Sequence, residues 1–191
     1  MLPMKNKKKK ADASLTPEQV IQKRRQRLYD KEDIKSFFSR LFLMVVIFVV
    51  LFGVIFGVTP MRDNDMMPRI GAGDLILYYR LDKQMNNQDV CVYEKDGQQY
   101  VGRVVAQGGD KVEITENDEL KINDNLIWET DIFYPTPQYE DGIKFPVVLE
   151  ENQYFVLCDY REGGKDSRYF GPVSSDELTG KVISVLRRSG L

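Results

Sequence analysis

The feature that most constrains this chain is an uninterrupted run of 18 residues, 41–58, without a charged side chain. A helix that rises about 1.5 Å per residue would carry this run across roughly 27 Å, close to the hydrocarbon thickness of a bilayer. A cleavable signal peptide is the alternative, but a long basic segment precedes the run and Pro60 follows it without a small-residue cleavage pattern. We therefore predict a transmembrane helix over 41–58, between a cytoplasmic segment, 1–40, and an outer domain, 59–191.

Charge is divided unequally across this run. Residues 1–40 carry 12 Lys/Arg and 5 Asp/Glu, whereas the rest of the chain carries 15 and 24. By the positive-inside rule, this predicts a single-pass protein of the cell membrane with a cytoplasmic N-terminus and an extracellular C-terminal domain. The basic stretch 23–27 follows a helix start at Thr16–Gln19, and its tether at the bilayer favours the membrane surface over nucleic acid as its partner. Gly53 and Gly57 leave open a helix–helix contact of the G-x-x-x-G kind.

Several kinds of chemistry are excluded by residue types alone. The chain contains no histidine, so a Ser-His-Asp triad and a histidine-built metal site are impossible. Its two cysteines, Cys91 and Cys158, lack C-x-x-C spacing and lie in apolar runs, which favours buried free thiols and leaves a disulfide open. We expect no metal, no cofactor and no small-molecule substrate.

The outer domain shows the pattern of an all-β fold. Short apolar runs alternate with turn residues, and Asp96-Gly97 between two such runs is typical of a type I′ hairpin. The runs that predict strands are 75–79, 90–93, 100–105, 112–115, 120–122, 126–128, 154–158 and 182–186. No long helix is expected after residue 60. We predict a mainly β domain, a barrel or a sandwich.

Four segments of this domain, in order, resemble the boxes of type I signal peptidases (the S26 family). They are Asp65–Ile70, Gly73–Ile76, Gly102–Asp110 and Cys158–Arg168. The resemblance implies a signal-peptidase-like β-barrel or sandwich behind an N-terminal transmembrane helix. The family-box residues retained here are Gly73, Asp74, Gly109, Asp110, Asp159, Arg161, Asp166, Ser167 and Arg168. The last three are expected to form a buried or half-buried hydrogen-bonded turn that supports the core.

The departures from the family pattern fall on its two catalytic positions. The family uses a serine nucleophile and a lysine general base, and the matching positions here are Asp65 and Gly102. A carboxylate is a poor nucleophile toward an amide and glycine supplies no base, so we predict that the chain has no catalytic residues and is not an enzyme. A relocated pair of Ser167 and Lys165 would be one escape. A proton shared between Asp65 and Asp159 or Asp166 would be another.

Asp and Gly at these positions resemble the signal-peptidase-like (SipA-type) proteins of streptococcal pilus gene clusters. That resemblance implies an inactive, membrane-anchored, chaperone-like factor in the sortase-dependent assembly of pili on a Gram-positive cell surface, with pilin subunits or the pilus sortase as partner. The expected contact is the family's substrate groove, which binds an extended strand, and its candidate residues are Met66, Met67, Pro68 and Arg103. The alternative is an active signal peptidase with a non-standard catalytic site.

Overall fold

The structure is a computed structural model that describes residues 16–187. The basic tail predicted over 1–10 lies outside the described residues. The chain divides into two compact units, and the division falls between Val49 and Val50.

The first unit is helical. Helix α1 spans Pro17–Val50, and the amide of Thr16 donates to the side chain of Gln19 at 3.2 Å, which is one half of the expected capping box. The apolar part of α1 continues through a π-helical turn, Leu51–Ile55, and together they form a helix that is long and apolar enough to cross a membrane by length and composition.

The end of the apolar run is not helical, so the predicted helix boundary at 58 is wrong. Residues Phe56–Pro60 form strand β1, which pairs with β2 over its whole length. The β-branched and aromatic side chains of this stretch suit a strand, because they fit a pleated surface. Gly57 therefore faces Tyr78 on β2. Because Gly53 and Gly57 do not lie on one helix, they cannot form the helix–helix contact of the G-x-x-x-G kind.

The second unit is mainly β, as predicted. Its further strands are β2 (Leu75–Tyr79), β3 (Val90–Lys95), β4 (Gln98–Gln107), β5 (Lys111–Ile114), β6 (Leu120–Ile122), β7 (Asn125–Leu126), β8 (Val147–Val148), β9 (Gln153–Leu157), β10 (Val173–Ser174) and β11 (Leu178–Leu186). One short helix, α2 (Ser167–Phe170), lies between β9 and β10. Asp96 and Gly97 both have positive φ, as the β3–β4 hairpin requires.

The strands form two antiparallel sheets. The larger has the order β1-β2-β11-β3-β4-β9-β10, and the smaller has the order β7-β6-β5-β8. Strand β4 is the longest strand and lies between β3 and β9. Because side chains alternate along a strand, neighbouring residues of β4 such as Gly102 and Arg103 face opposite sides of the sheet.

Candidate functional site

Gly102 lies in the middle of β4 and is paired with Cys91 of β3. A Cβ atom added at Gly102 would lie 2.5 Å from Cγ1 of Val156, 3.2 Å from the carbonyl oxygen of Leu157 and 3.5 Å from the ring of Tyr93. The first distance is shorter than real side chains tolerate, and Val156 is itself fully buried. The position that the resemblance assigns to a lysine is therefore closed by its neighbours.

Asp65 lies in the loop between β1 and β2 and is half-buried. Its carbonyl oxygen accepts from the amide of Tyr160 at 2.8 Å, and its carboxylate lies where a side chain on Gly164 would be, 2.5 Å from that Cβ position. Burial raises the pKa of Asp65, and the negative charges of Asp63 and Asp166 raise it further. Both charged groups that raise this pKa are therefore carboxylates.

Asp65 and Gly102 border the same buried cluster, which consists of Cys158, Tyr93 and Asp166. Cys158 lies 2.9 Å from the Gly164 Cβ position, beside Asp65, and burial raises the pKa of its thiol far above the ordinary range. Tyr93, which flanks Gly102, is fully buried, and burial together with the charges of the cysteines and Asp166 raises its pKa. Within residues 16–187 its hydroxyl has no hydrogen-bond partner, so this buried side chain contributes a proton donor that is not engaged in the core.

Both cysteines are free thiols. Cys91 is on β3, and Cys158 directly follows β9, with β4 between those two strands. Strands separated by a third strand lie about 10 Å apart, which is too far for a disulfide. Burial raises the pKa of Cys91 to about 12, so it is an inert core residue, as the free-thiol alternative predicted.

The residues Asp166, Ser167 and Arg168 form a buried turn. Asp166 caps α2 by accepting from the amide of Arg168 at 3.0 Å, and it also accepts from the guanidinium of Arg168 at 2.8 Å. The hydroxyl of Ser167 accepts from the amide of Val156 at 3.0 Å. Arg168 also donates to the carbonyl oxygens of Pro137 and Arg161 and lies over the ring of Tyr139. These bonds tie the 134–142 loop to β9.

The same bonds give the residues of both alternative catalytic pairs other partners. The Ser167 hydroxyl accepts from the backbone and the Nζ atom of Lys165 lies 4.8 Å from the ring centroid of Tyr169, and no hydrogen bond between Ser167 and Lys165 is recorded within residues 16–187. Asp166 is bonded to Arg168, and Asp159 accepts from Arg103 at 2.6 and 2.7 Å, which commits both carboxylates to arginine partners.

The other retained box residues shape turns and ion pairs. Gly73 and Gly109 have φ of 92° and 91°, which favours glycine. Asp74 accepts from the amide of Gly71, and Asp110 accepts from the amide of Gln107. Arg161 is fully buried and donates to Glu129 at 2.7 Å.

The structure corrects the groove that was predicted from sequence. Met66 is fully buried in the core, where it packs with Met61 and Ile70, because the turn after β1 directs its side chain inward. Arg103 is 7% exposed and held by Asp159. Only Met67 and Pro68 of the four candidates are exposed.

An open cavity of about 320 Å³ adjoins Asp65 instead, on the side of Gly164. It is lined by Tyr139, Glu140, Asp141, Gly163, Gly164 and Tyr169. The Tyr139 hydroxyl donates to the carbonyl oxygen of Gly164 at 3.0 Å, which fixes one wall. Sequence reasoning missed this cavity, because the proximity of residues 139–141 to Gly163 and Gly164 depends on tertiary contacts that no local pattern encodes.

The sequence matches the family described as "Signal peptidase, peptidase S26" over residues 34–186. The chain therefore belongs to the signal peptidase S26 family.

Named relatives include signal peptidase IB of Staphylococcus aureus, which is 31% identical over 146 residues that cover 65% of this chain and 75% of the relative. The probable signal peptidase I-2 of Synechocystis is 33% identical over 84 residues, 44% of this chain and 36% of that protein, so the chain spans about a third of this relative's length. A solved signal peptidase I of Enterococcus faecalis is similar at 26% identity, with a TM-score of 0.44, over 53% of this chain and 97% of that one.

Proposed function

We propose that this chain is a non-cleaving member of the signal peptidase S26 family that acts as a chaperone-like accessory factor in sortase-dependent pilus assembly. Helix α1 anchors it in the cell membrane, with the basic N-terminal segment in the cytoplasm and the outer domain, residues 59–191, outside. The outer domain holds a pilin subunit or the pilus sortase at the inherited substrate groove and does no covalent chemistry on it.

The observation that carries the absence of cleavage is the environment of Gly102 and Asp65. Val156 and Tyr93 occupy the space beside Gly102, and burial together with the charges of Asp63 and Asp166 raises the pKa of Asp65. A Ser–Lys mechanism needs a hydroxyl and a deprotonable amine within hydrogen-bond reach of each other. Loss of such a pair typically lowers turnover by about 10⁶, so binding is the function that this geometry supports best.

Binding is supported by the cavity beside Asp65. Two tyrosines and the bare backbone of Gly163 and Gly164 line it, and exposed Met67 and Pro68 lie in the loop that follows Asp65. Aromatic rings supply contact area at low entropic cost, and glycine permits close approach of a second backbone. An extended polypeptide fits such a surface without any nucleophile.

The pilus role rests on the resemblance to SipA-type proteins, and a deletion strain of a piliated host tests it. We expect pilin that has lost its signal sequence but remains monomeric. Complementation with the wild type or with Asp65→Ala should restore the polymer equally, because the carboxylate does no chemistry. Normal polymer ladders in the deletion strain would exclude the role.

The second candidate function is an active signal peptidase with a non-standard site. The relatives named above, which are signal peptidases, favour it. In that case the full-length protein in detergent should cleave a pre-pilin peptide, and Asp65→Ala should abolish the cleavage. We expect no cleavage by either form, with an authentic signal peptidase as the positive control for the peptide.

A further inference from the structure

A second open surface lies on the side of β4 that carries Arg103, away from Gly102. It consists of two adjoining cavities of about 560 and 400 Å³. Both cavities are lined by Arg69, Gln88 and Arg103, so they form one cleft. We call it the arginine cleft. The sequence assigned Arg103 to the substrate groove but predicted no ligand along β11, and the pilus proposal does not require one there.

One wall of the arginine cleft is the edge of β11. Strand β11 pairs with β3 from Leu178 to Lys181, whereas its second half, from Val182 to Leu186, pairs with β2 alone within residues 16–187. The pairing with β2 shifts register between Val182 and Ser184, so Ile183 lies at a β-bulge. Beyond the bulge, from Ser184 to Leu186, alternate residues direct their N–H and C=O groups to each side, and the strand presents main-chain groups to the cleft. Ile183 is 55% exposed on this edge. An edge of this kind is a template for one more strand.

The charges around the cleft indicate which side chains an added strand would carry. Each carboxylate that lines it already has a cation, since Asp89 pairs with Lys181, Asp131 with Arg69 and Glu129 with Arg161. Arg187 lies at the end of β11, is exposed, and donates to the carbonyl oxygen of Arg69 at 3.3 Å. In the part of the chain that the structure describes, no carboxylate is recorded within ion-pair distance of Arg187. Among the described residues that line the cleft, the charge without a counter-ion is therefore the positive charge of Arg187.

We propose that the arginine cleft binds an extended acidic polypeptide segment, which adds as a strand to the Val182–Leu186 edge and places a carboxylate against Arg187. The main-chain bonds supply affinity without a sequence requirement, and Arg187 supplies the preference for an acidic side chain. Exposed Trp128 extends the same cleft and offers an aromatic surface beyond the ion pair.

A second copy of the chain fits the edge less well. A two-fold antiparallel pairing centred on Ser184 would bring Arg187 of one copy level with Lys181 of its partner, where β3 already occupies the edge of β11. The pairing between two copies is therefore limited to the few residues beyond Lys181, and it supplies no carboxylate for Arg187. An acidic strand supplies that carboxylate.

The test uses the full chain in detergent micelles and three fluorescein-labelled peptides. The first has the sequence Thr-Val-Glu-Val-Glu-Val-Thr, the second has lysine in place of glutamate, and the third is the glutamate peptide N-methylated at alternate residues. Fluorescence anisotropy should show saturable binding of the first peptide and binding of the second that is about ten-fold weaker. The third should not bind, because N-methylation removes its main-chain donors and leaves its charge unchanged.

Two variants assign this binding to the cleft. Arg187→Glu should abolish the preference for the glutamate peptide, whereas Lys144→Glu, which makes the same charge change at another exposed position, should leave it intact. Melting temperatures of both variants should match the wild type, because both side chains are exposed. Equal binding of all three peptides, or a glutamate preference that survives Arg187→Glu, would overturn the proposal. A photo-crosslinker at Ser184 that yields dimers of the chain, and no peptide adduct, would assign the edge to a second copy and likewise overturn it.

Discussion

The two faces of strand β4 differ sharply, although they belong to one stretch of chain. On one face Gly102 is enclosed by Val156, Tyr93 and the backbone of Leu157. On the other face Arg103 forms a buried ion pair with Asp159 at the floor of an open cleft. The face that corresponds to catalysis in the family is closed at the lysine position, and the opposite face is open.

On the proposal that the chain does not cleave, this difference explains how a peptidase fold keeps its architecture without the chemistry. A catalytic base needs space, partial exposure and a nucleophile nearby, and Gly102 has none of these. The ion pairs of the family boxes need only their partners, and they remain complete in Arg103–Asp159 and Asp166–Arg168. The ion pairs that hold the sheet and the loops together can therefore be kept when the serine and the lysine of the family pattern are replaced.

The largest expected effect concerns the charged face. Arg103→Ala would leave Asp159, which is 1% exposed, as a buried charge without its partner. Such a loss costs about 3–5 kcal/mol in the free energy of unfolding. Thermal and urea unfolding of the full chain in detergent, followed by circular dichroism, would measure it.

The matched control for that prediction is Arg69→Ala. Arg69 pairs with Asp131 at 2.7 Å, but both side chains are about half exposed, so we expect a cost below about 1 kcal/mol. Equal losses for the two variants would contradict the distinction between a buried and an exposed pair on this face.

The second prediction concerns the closed face. Gly102→Ala should lower the free energy of unfolding by about 1–3 kcal/mol, because its Cβ would overlap Val156 in a packed core. In the double variant Gly102→Ala/Val156→Ala, the two costs should be less than additive, since the smaller side chain at 156 removes the overlap. A double-mutant cycle by urea unfolding measures this coupling. Additive costs would show that the space beside Gly102 is open after all.

Much of the fold was predictable from sequence because its signals are local. The alternating apolar runs predicted strand 75–79 correctly, and Asp96-Gly97 predicted the β3–β4 hairpin. The end of the membrane helix was not predictable. Hydrophobicity alone does not distinguish an apolar helix from the apolar strand Phe56–Pro60, whose conformation depends on pairing with β2.

The candidate site was predictable only as a set of positions. The resemblance selected Asp65 and Gly102, and the structure places both beside the cluster of Cys158, Tyr93 and Asp166. It could not show that Met66 points into the core, since an apolar residue in a turn suits either side. Two further features depend on tertiary contacts between distant segments, and no sequence window contains them. They are the Tyr93 hydroxyl, which has no hydrogen-bond partner within residues 16–187, and the second half of β11, which is paired on one side only.

The smallest expected effect tests the acidic surroundings of Asp65. Burial, Asp63 and Asp166 raise its pKa, so the folded state holds the proton more tightly than the unfolded chain does. The ionised form of Asp65 therefore destabilises the fold at neutral pH. Asp65→Asn removes that charge, and at pH 7 it should raise the free energy of unfolding by less than about 1 kcal/mol, because solvent screens a half-exposed group.

The sign of this effect makes it specific. As the pH falls through the raised pKa of Asp65 and then below the ordinary value of an aspartate, the wild-type carboxyl becomes protonated in both states and its penalty disappears. The advantage of Asp65→Asn should consequently shrink on acidification, which unfolding curves at pH 7 and at about pH 4 would show. Asp63→Asn serves as the control, since it removes one of the charges that act on Asp65 and should give a smaller gain. An Asp65→Asn variant that is less stable than the wild type at pH 7 would contradict this account, because it would mean that the ionised carboxylate has a stabilising partner.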